Sequence, residues 1–411
     1  MSLLSVETTQ PGRSYRRIVG RYHGERPGPS IVVVGGIHGN EDAGILALKR
    51  VFKTLEKIRP TFSGQLVGIA GNLTALQRGE RFISEDLNRA WTPDRVARIK
   101  RADPNPLEQI EDIEMHGLLT ALEAAFDSAR GPVYFLDLHT SSAPGAPFVL
   151  LGDTLRNRRF ALKFPVPVIL GLEEQIDGVL LEYVNSLGHI ALGFEAGQHD
   201  APESIDYFEA ALWIALIEAG AIDANHVPEA HTARERLTRS VDHLPSVLEI
   251  RYRHGIEPDD GFTMRPGFTN FKVVRAGDVL ASDEEGEVRA RCHGRVLLPL
   301  YQGQGNDGFF IAREVRPFWL RVSSILRHLR VDRLVSLLPG IRRDPEQPES
   351  LIVSRIAHRP ALSLLHLLGF RKVREVGQNL IVSRRRYDLR GPNQNSAAQD
   401  GSSDPSVDPQ P

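Results

Sequence analysis

Apolar residues change their period repeatedly over the first 240 positions. Ile31, Val32, Val33 and Val34 form a continuous apolar run, so residues 31–35 read as a strand buried on both faces. Two glycines end it. From 42 to 57 the spacing of Ile45, Leu48, Phe52 and Leu55 predicts a helix with one apolar stripe. Residues 65–70 read as the next strand, closed by Gly71 and Asn72. A helix is expected over 107–129, strands at 133–138 and 165–170, a helix at 173–187, a strand at 189–194 and a helix at 207–218. Strands alternating with helices predict an α/β fold, a mostly parallel or mixed sheet flanked by helices. The stretch 78–106 is polar and aperiodic, and long irregular segments of compact domains are usually functional or mobile.

Near residue 240 the pattern changes. Residues 247–253 alternate apolar and polar, as a half-buried strand does. Short strand-like segments at 272–274, 286–290, 294–298 and 308–312 follow, separated by glycine-rich turns. The reading is therefore an α/β domain over 1–240 and a second, smaller all-β domain over 241–316. Beyond it, 318–338 looks amphipathic and helical, and 339–350 has the composition of a linker. Within a mixed extension over 317–390, a helix at 361–368 and a strand at 380–383 are expected, with no role assigned. The Pro-, Ser- and Asp-rich tail at 391–411 is expected to be disordered.

Composition narrows the function. A hydrophobic fraction of 41% and a charged fraction of 25% fit an ordinary globular protein. A net charge of -2 gives no global reason to bind nucleic acid or an anionic membrane, and the run Arg384, Arg385, Arg386 reads as a solvated face. The chain has one cysteine, Cys292, which excludes an intramolecular disulfide and any multi-cysteine metal site. A reducing, cytoplasmic compartment is the simple expectation, with no signal peptide or membrane-spanning run. The oligomeric state is not legible.

The candidate chemistry sits at strand ends. His38 and Glu41 follow the glycines at the expected strand-to-helix junction, three residues apart. Tyr134-Phe-Leu-Asp-Leu-His139 ends a second apolar strand. Two imidazoles and one carboxylate make a three-ligand zinc site that leaves a position for water, with one zinc ion per chain. Asp137, two residues before His139, shares its strand face and is placed to orient the ring. Glu195 follows a third apolar strand, and a partly desolvated carboxylate beside zinc suits a general base. His38, His139 and Glu195 are all expected just past the ends of strands, where ligands of open α/β sheets bind. Arg81, Asn88 and Arg89 lie in the aperiodic stretch, and guanidinium forks suit carboxylates or charge developing on a carbonyl oxygen.

Four pieces in this order, Gly35 to Asp42, Arg81 to Arg89, Asp137 to His139 and Gly193 to Gly197, resemble the succinylglutamate desuccinylase/aspartoacylase family, which is related to the zinc carboxypeptidases. The resemblance covers roughly residues 25–316. It implies a zinc carboxypeptidase-like fold and assigns zinc ligation to His38, Glu41 and His139, acid–base catalysis to Glu195, carbonyl polarisation to Arg81 and carboxylate binding to Asn88 and Arg89. The implied reaction is hydrolysis of a small-molecule N-acyl amino acid to a carboxylate and an amine. The chain departs from the family pattern at Glu182 to His189, where no arginine stands to clamp a second acidic group. Two other readings use the same residues: a zinc carboxypeptidase acting on peptides, and a non-catalytic metal-binding relative.

Overall fold

The computed structural model describes residues 14–102, 107–354, 358–377 and 379–392. The disordered tail expected at 391–411 lies outside the described residues from position 393 onward. Along the chain run β1 (Ile18–His23), β2 (Arg26–Gly35), α1 (Ala43–Ile58), β3 (Ser63–Ala70), α2 (Leu73–Arg78), α3 (Pro93–Arg101), α4 (Ile110–Asp127) and β4 (Val133–Ser141). Next come β5 (Phe148–Leu150), α5 (Leu155–Ala161), β6 (Val168–Leu170), α6 (Leu180–Ser186), β7 (Ile190–Gln198), α7 (Pro202–Glu218), α8 (Pro228–Ser240) and β8 (Val247–Gly255). The β-rich stretch holds β9 (Thr263–Met264), β10 (Val273–Val274), β11 (Val279–Asp283), β12 (Gly286–Arg289), β13 (Gly294–Leu297) and β14 (Asp307–Glu314). The chain continues through α9 (Pro317–His328), β15 (Ile341–Arg343), β16 (Ser350–Ser354), α10 (His358–Leu367), β17 (Lys372–Val376) and β18 (Asn379–Ser383).

One mixed sheet of 11 strands organises the protein, in the order β1-β3-β2-β4-β7-β5-β6-β8-β14-β13-β10. Its centre, β3-β2-β4-β7, is parallel. Alternate residues of these strands serve two cores. Ile31, Val33, Leu136, Leu138, Leu192 and Phe194 pack with α1 and α7 through Leu48, Phe52, Phe208 and Trp213. Val32, Val34, Phe135 and Ala191 pack on the other face with α4 through Met115, Leu118 and Leu122. Helices on both faces explain why β2 is apolar without alternation. Each fully buried large side chain contributes about 1.5–3 kcal/mol.

The β-rich stretch divides its strands. β8 joins β6 in parallel, β14, β13 and β10 continue from it in antiparallel fashion, and β12-β11-β9 form a separate three-stranded sheet. Among the described residues no helix is long and apolar enough to cross a membrane.

Several expectations are corrected. The aperiodic stretch 78–106 contains α3, a short polar helix whose start is marked by Thr92, capping Arg95 N, and by Pro93 in its first turn. The helix expected over 173–187 is broken by Gly178 at φ 72 into a 3-10 turn, Glu173–Gln175, and α6. The strand expected at 165–170 is only Val168–Leu170, because Pro165 and Pro167 lack donors for a ladder. The helix expected to 338 stops at His328, where two 3-10 turns take over. The 339–350 linker instead holds β15 and the start of β16. These join β18 and β17 in a four-stranded antiparallel sheet with its own small core around Leu351, Val353, Leu365, Phe370 and Val382.

This C-terminal part docks through buried charge. Asp153, 2% exposed, accepts from Arg158 Nε at 2.5 Å, from Arg327 of α9 at 2.9 Å and from Arg371. Arg371 reaches Glu249 of β8 with its other arm. Burial alone would raise the Asp153 carboxyl, but Arg158, Arg327 and Arg371 outweigh it and hold the group well below the usual carboxylate range. Removing one partner of such a network leaves the others buried and uncompensated. Asp153→Ala is therefore expected to lower stability by about 3–5 kcal/mol, seen as a reduced urea midpoint. An unchanged midpoint would show that the arginines find water instead.

Candidate active site

His38 and Glu41 occupy the turn between β2 and α1. Gly36, at φ 71, starts the turn, and Glu41 N donates to His38 O at 3.2 Å. Gly39 lies against α2 so closely that a Cβ there would stand 2.0 Å from the Ala75 carbonyl carbon. Only glycine fits, and the backbone between the two side chains is thereby fixed. His139 and Glu195 correct the expectation of positions past strand ends: they lie inside β4 and β7, opposite each other in the parallel ladder. The ladder continues because those strand ends are buried, where backbone groups need partners.

The side chains form a tight cluster. His38 Nδ1 lies 2.8 Å from Glu41 Oε1, and His139 Nδ1 lies 3.3 Å from Glu41 Oε2. One ligand atom from each of His38, Glu41 and His139 can be chosen so that all lie within 4.8 Å of one another. All three residues are buried. Each is held from behind. His38 Nε2 lies 3.1 Å from Asp86 Oδ1, and His139 Nε2 lies 3.0 Å from Asp137 Oδ2. Thr140 N donates to Glu41 Oε2 at 2.9 Å. With its Nε2 proton given to an aspartate, each imidazole turns a lone pair on Nδ1 toward Glu41. Three acceptors then face one point. That arrangement requires protons or a cation between them, and its donor set is one that zinc prefers.

Charge within the cluster is strongly coupled. Burial raises the Glu41 carboxyl, but His38 and His139 outweigh it and hold it well below its ordinary value. Burial lowers the His139 imidazole, but Asp137 and Glu41 raise it well above. Asp86 is likewise held down, against its burial, by His38 and Arg81.

Arg81 is packed into the same network. It donates to Asp86 Oδ2 at 3.0 Å and reaches Glu41 Oε1 at 3.5 Å, while its buried Nε has no partner among the described residues. Asn88 sits in a 3-10 turn, Leu87–Arg89, capped by Asp86. Its Oδ1 accepts from Leu180 N at 2.9 Å, which leaves its amide N–H groups for other partners. Arg89 donates to Asp307 Oδ2 at 2.8 Å and to Asn88 O at 2.9 Å. Glu195 is 6% exposed, and its Oε2 is buried without a hydrogen bond. Burial first, partly opposed by the charge of His139 and reinforced by Glu41, pushes its carboxyl up to about 8.

All seven candidates, His38, Glu41, Arg81, Asn88, Arg89, His139 and Glu195, line one cleft with about 890 Å³ of empty space. Three further residues of the site had no role in the sequence reading. Asp86 stands inside the Arg81–Arg89 motif, but its link to His38 spans 48 positions. His199 joins Thr140 Oγ1 at 2.8 Å to Gln302 Oε1 at 3.1 Å, and its only signal was its place just after an apolar strand. Asp307 opens β14 after what reads as a glycine-rich turn, and gave no signal.

Asp86→Ala is expected to leave both His38 and Arg81 unanchored. Removing such an orienting partner typically costs about 10–100-fold in metal affinity. Competition with a chromogenic chelator measures it, and wild-type zinc affinity in the variant would remove Asp86 from the site.

Residues 27–212 match the family model described as Succinylglutamate desuccinylase/Aspartoacylase catalytic domain. A probable aspartoacylase of Prochlorococcus marinus (strain MIT 9215) is 25% identical over 289 residues, covering 67% of this chain and 88% of that protein. A succinylglutamate desuccinylase of Ectopseudomonas mendocina is 36% identical over 114 residues, 28% of this chain and 32% of that one. The crystal structure of a succinylglutamate desuccinylase/aspartoacylase from Rhodobacter sphaeroides superposes with a TM-score of 0.54 at 18% identity, over 73% of this chain and 88% of that chain. Residues 27–212 thus carry the catalytic-domain pattern of the succinylglutamate desuccinylase/aspartoacylase family.

Proposed function

We propose that the chain is a zinc-dependent amidohydrolase that cleaves N-acyl amino acids to a carboxylate and a free amine. The observation that carries this reading is the facing of two Nδ1 atoms and one carboxylate, each fixed from behind, beside a buried carboxyl group without a hydrogen bond. The named activities of the family's members agree with it.

His38, Glu41 and His139 would hold the ion, and Asp86 and Asp137 would keep the imidazoles in the ligating tautomer. When bound, zinc polarises a carbonyl and makes a water acidic near neutrality. Glu195 takes the proton of the attacking water and passes it to the departing amine nitrogen. Its burial keeps it basic enough to accept that proton. Arg81, held in its charged form by Asp86 and Glu41 against the effect of burial, stabilises negative charge on the carbonyl oxygen. Asn88 and Arg89 hold the carboxylate of the substrate near the scissile bond. The loop that supplies Leu298, Leu300 and Gln302 to the cleft faces these groups and favours a small substrate over a polypeptide.

Chelation should abolish hydrolysis, and added zinc should restore it. Glu195→Gln should keep its full metal content, measured by atomic emission, and lose at least about 100-fold in kcat. Activity in that variant equal to wild type would end the role of Glu195, and a protein that is fully active without metal would end the whole reading.

A further inference from the structure

The cations of the cleft are already spoken for. Among the described residues two arginines line it, Arg81 and Arg89, and no lysine does. Arg81 is held by Asp86 and Glu41. Arg89 is held by Asp307 at 2.8 Å, and the other oxygen of Asp307 accepts from Arg253 Nε at 2.5 Å. Asp307 thus stands in the cleft wall as a built-in carboxylate that half-neutralises the one arginine available to a ligand. Glu41, Asp137, Glu173 and Glu195 add further acidic groups to the same lining. Arg385 lies behind the wall, bound to Glu173 at 2.6 Å, and does not line the cleft.

Part of the remaining wall is polar, with Thr140, Ser141, Ser142, His199, Gln302 and Asn306, and part is apolar. Leu172, Ile176, Val179 and Leu181 come from the segment that leads into α6, Leu150 from β5 and Phe310 from β14. A ligand with one carboxylate finds the Asn88 amide and the free N–H groups of Arg89. A second carboxylate finds no unpaired arginine and would lose its hydration against hydrocarbon. Burying a charge without a partner is strongly unfavourable, whereas an apolar group gains from the same wall.

We propose that the cleft selects N-acyl amino acids with an uncharged, apolar side chain, and that Asp307, by occupying Arg89, is the specificity-determining residue that denies a second carboxylate its counter-charge. The proposal rests on the amidohydrolase reading above for its substrate class, though not for the charge preference itself. It separates this chain from what the names of its relatives suggest, since aspartate and succinylglutamate are both anionic beyond one carboxylate. Leaving the charge of the wrong ligand desolvated and without a partner is a recognised way to build specificity.

The test uses the zinc-loaded full chain with N-acetyl-leucine, N-acetyl-phenylalanine, N-acetylaspartate and N-succinylglutamate. The apolar compounds should exceed the acidic ones in kcat/KM by at least about 100-fold. Asp307→Asn should narrow that gap about tenfold or more, chiefly by lowering KM for N-acetylaspartate. Ile176→Arg, which puts a new cation into the apolar wall, should shift preference in the same direction and serves if the first variant does not fold. Calorimetric binding of the four compounds to Glu195→Gln protein gives a readout independent of turnover. If nothing is hydrolysed but the apolar compounds still bind better, the hydrolase reading falls and the selectivity stands. Equal or better use of the acidic compounds in either assay, or binding of none of the four, overturns the proposal.

Discussion

The site depends on three lone-pair donors that face one another and cannot move apart. His38, His139 and Glu41 are each nearly sealed from water, so solvent cannot screen their mutual repulsion. Nor can the rings swing away, because Asp86 and Asp137 hold the far nitrogens and Thr140 N holds the carboxylate. A cluster fixed in this way is stable only with positive charge at its centre. Protons on the imidazoles supply that charge in part, which is why burial fails to keep His139 neutral. A divalent ion supplies it more fully. The proposed affinity for such an ion is then a consequence of how the site is built from behind.

The constraint is passed to the sheet. Gly35 pairs with Leu138 between β2 and β4, and His139 pairs with Glu195 between β4 and β7. Register therefore sets the distance between the His38–Glu41–His139 cluster and Glu195. A slip of one residue in β7 would turn Glu195 to the opposite face and bring Ala196 or Phe194 into its place. The two cores prevent that slip, since Phe194 would have to leave the cluster it shares with Phe164 and Phe208. The catalytic arrangement is in this sense a by-product of hydrophobic packing on both sides of four parallel strands.

Much of this was legible because the sheet is covered on both faces. The runs of β2, β4 and β7 stand out as apolar stretches, and helices α1, α4 and α7 show their buried stripes. The His38, Glu41 and His139 cluster was readable because its members close such runs. Other features carry no local signal. The polar ends of β4 and β7 look like loop, yet the ladder continues through His139 and Glu195. α3 is nine residues long with only two large apolar residues, Val96 and Ile99, too few for a stripe, so its cap is what marks it. β5 and β6 have three residues each, too few for a period. The pairing of Arg89 with Asp307 spans 218 positions, and neither residue names the other in sequence.

The segment after residue 316 gains meaning from charge. Asp153, Glu173 and Glu249 are buried acids of the α/β part, and each finds an arginine from the C-terminal part: Arg327 and Arg371 on Asp153, Arg371 on Glu249, Arg385 on Glu173. Glu173 also lines the cleft. Even with Arg385 beside it, burial pushes its carboxyl up to about 8, so its charge is poised on that one guanidinium. A chain without this segment would leave three buried acids short of counter-charge, which favours their protonation or the opening of the wall around them. The extension is therefore linked to the cleft through Glu173, even though none of its described residues lines it.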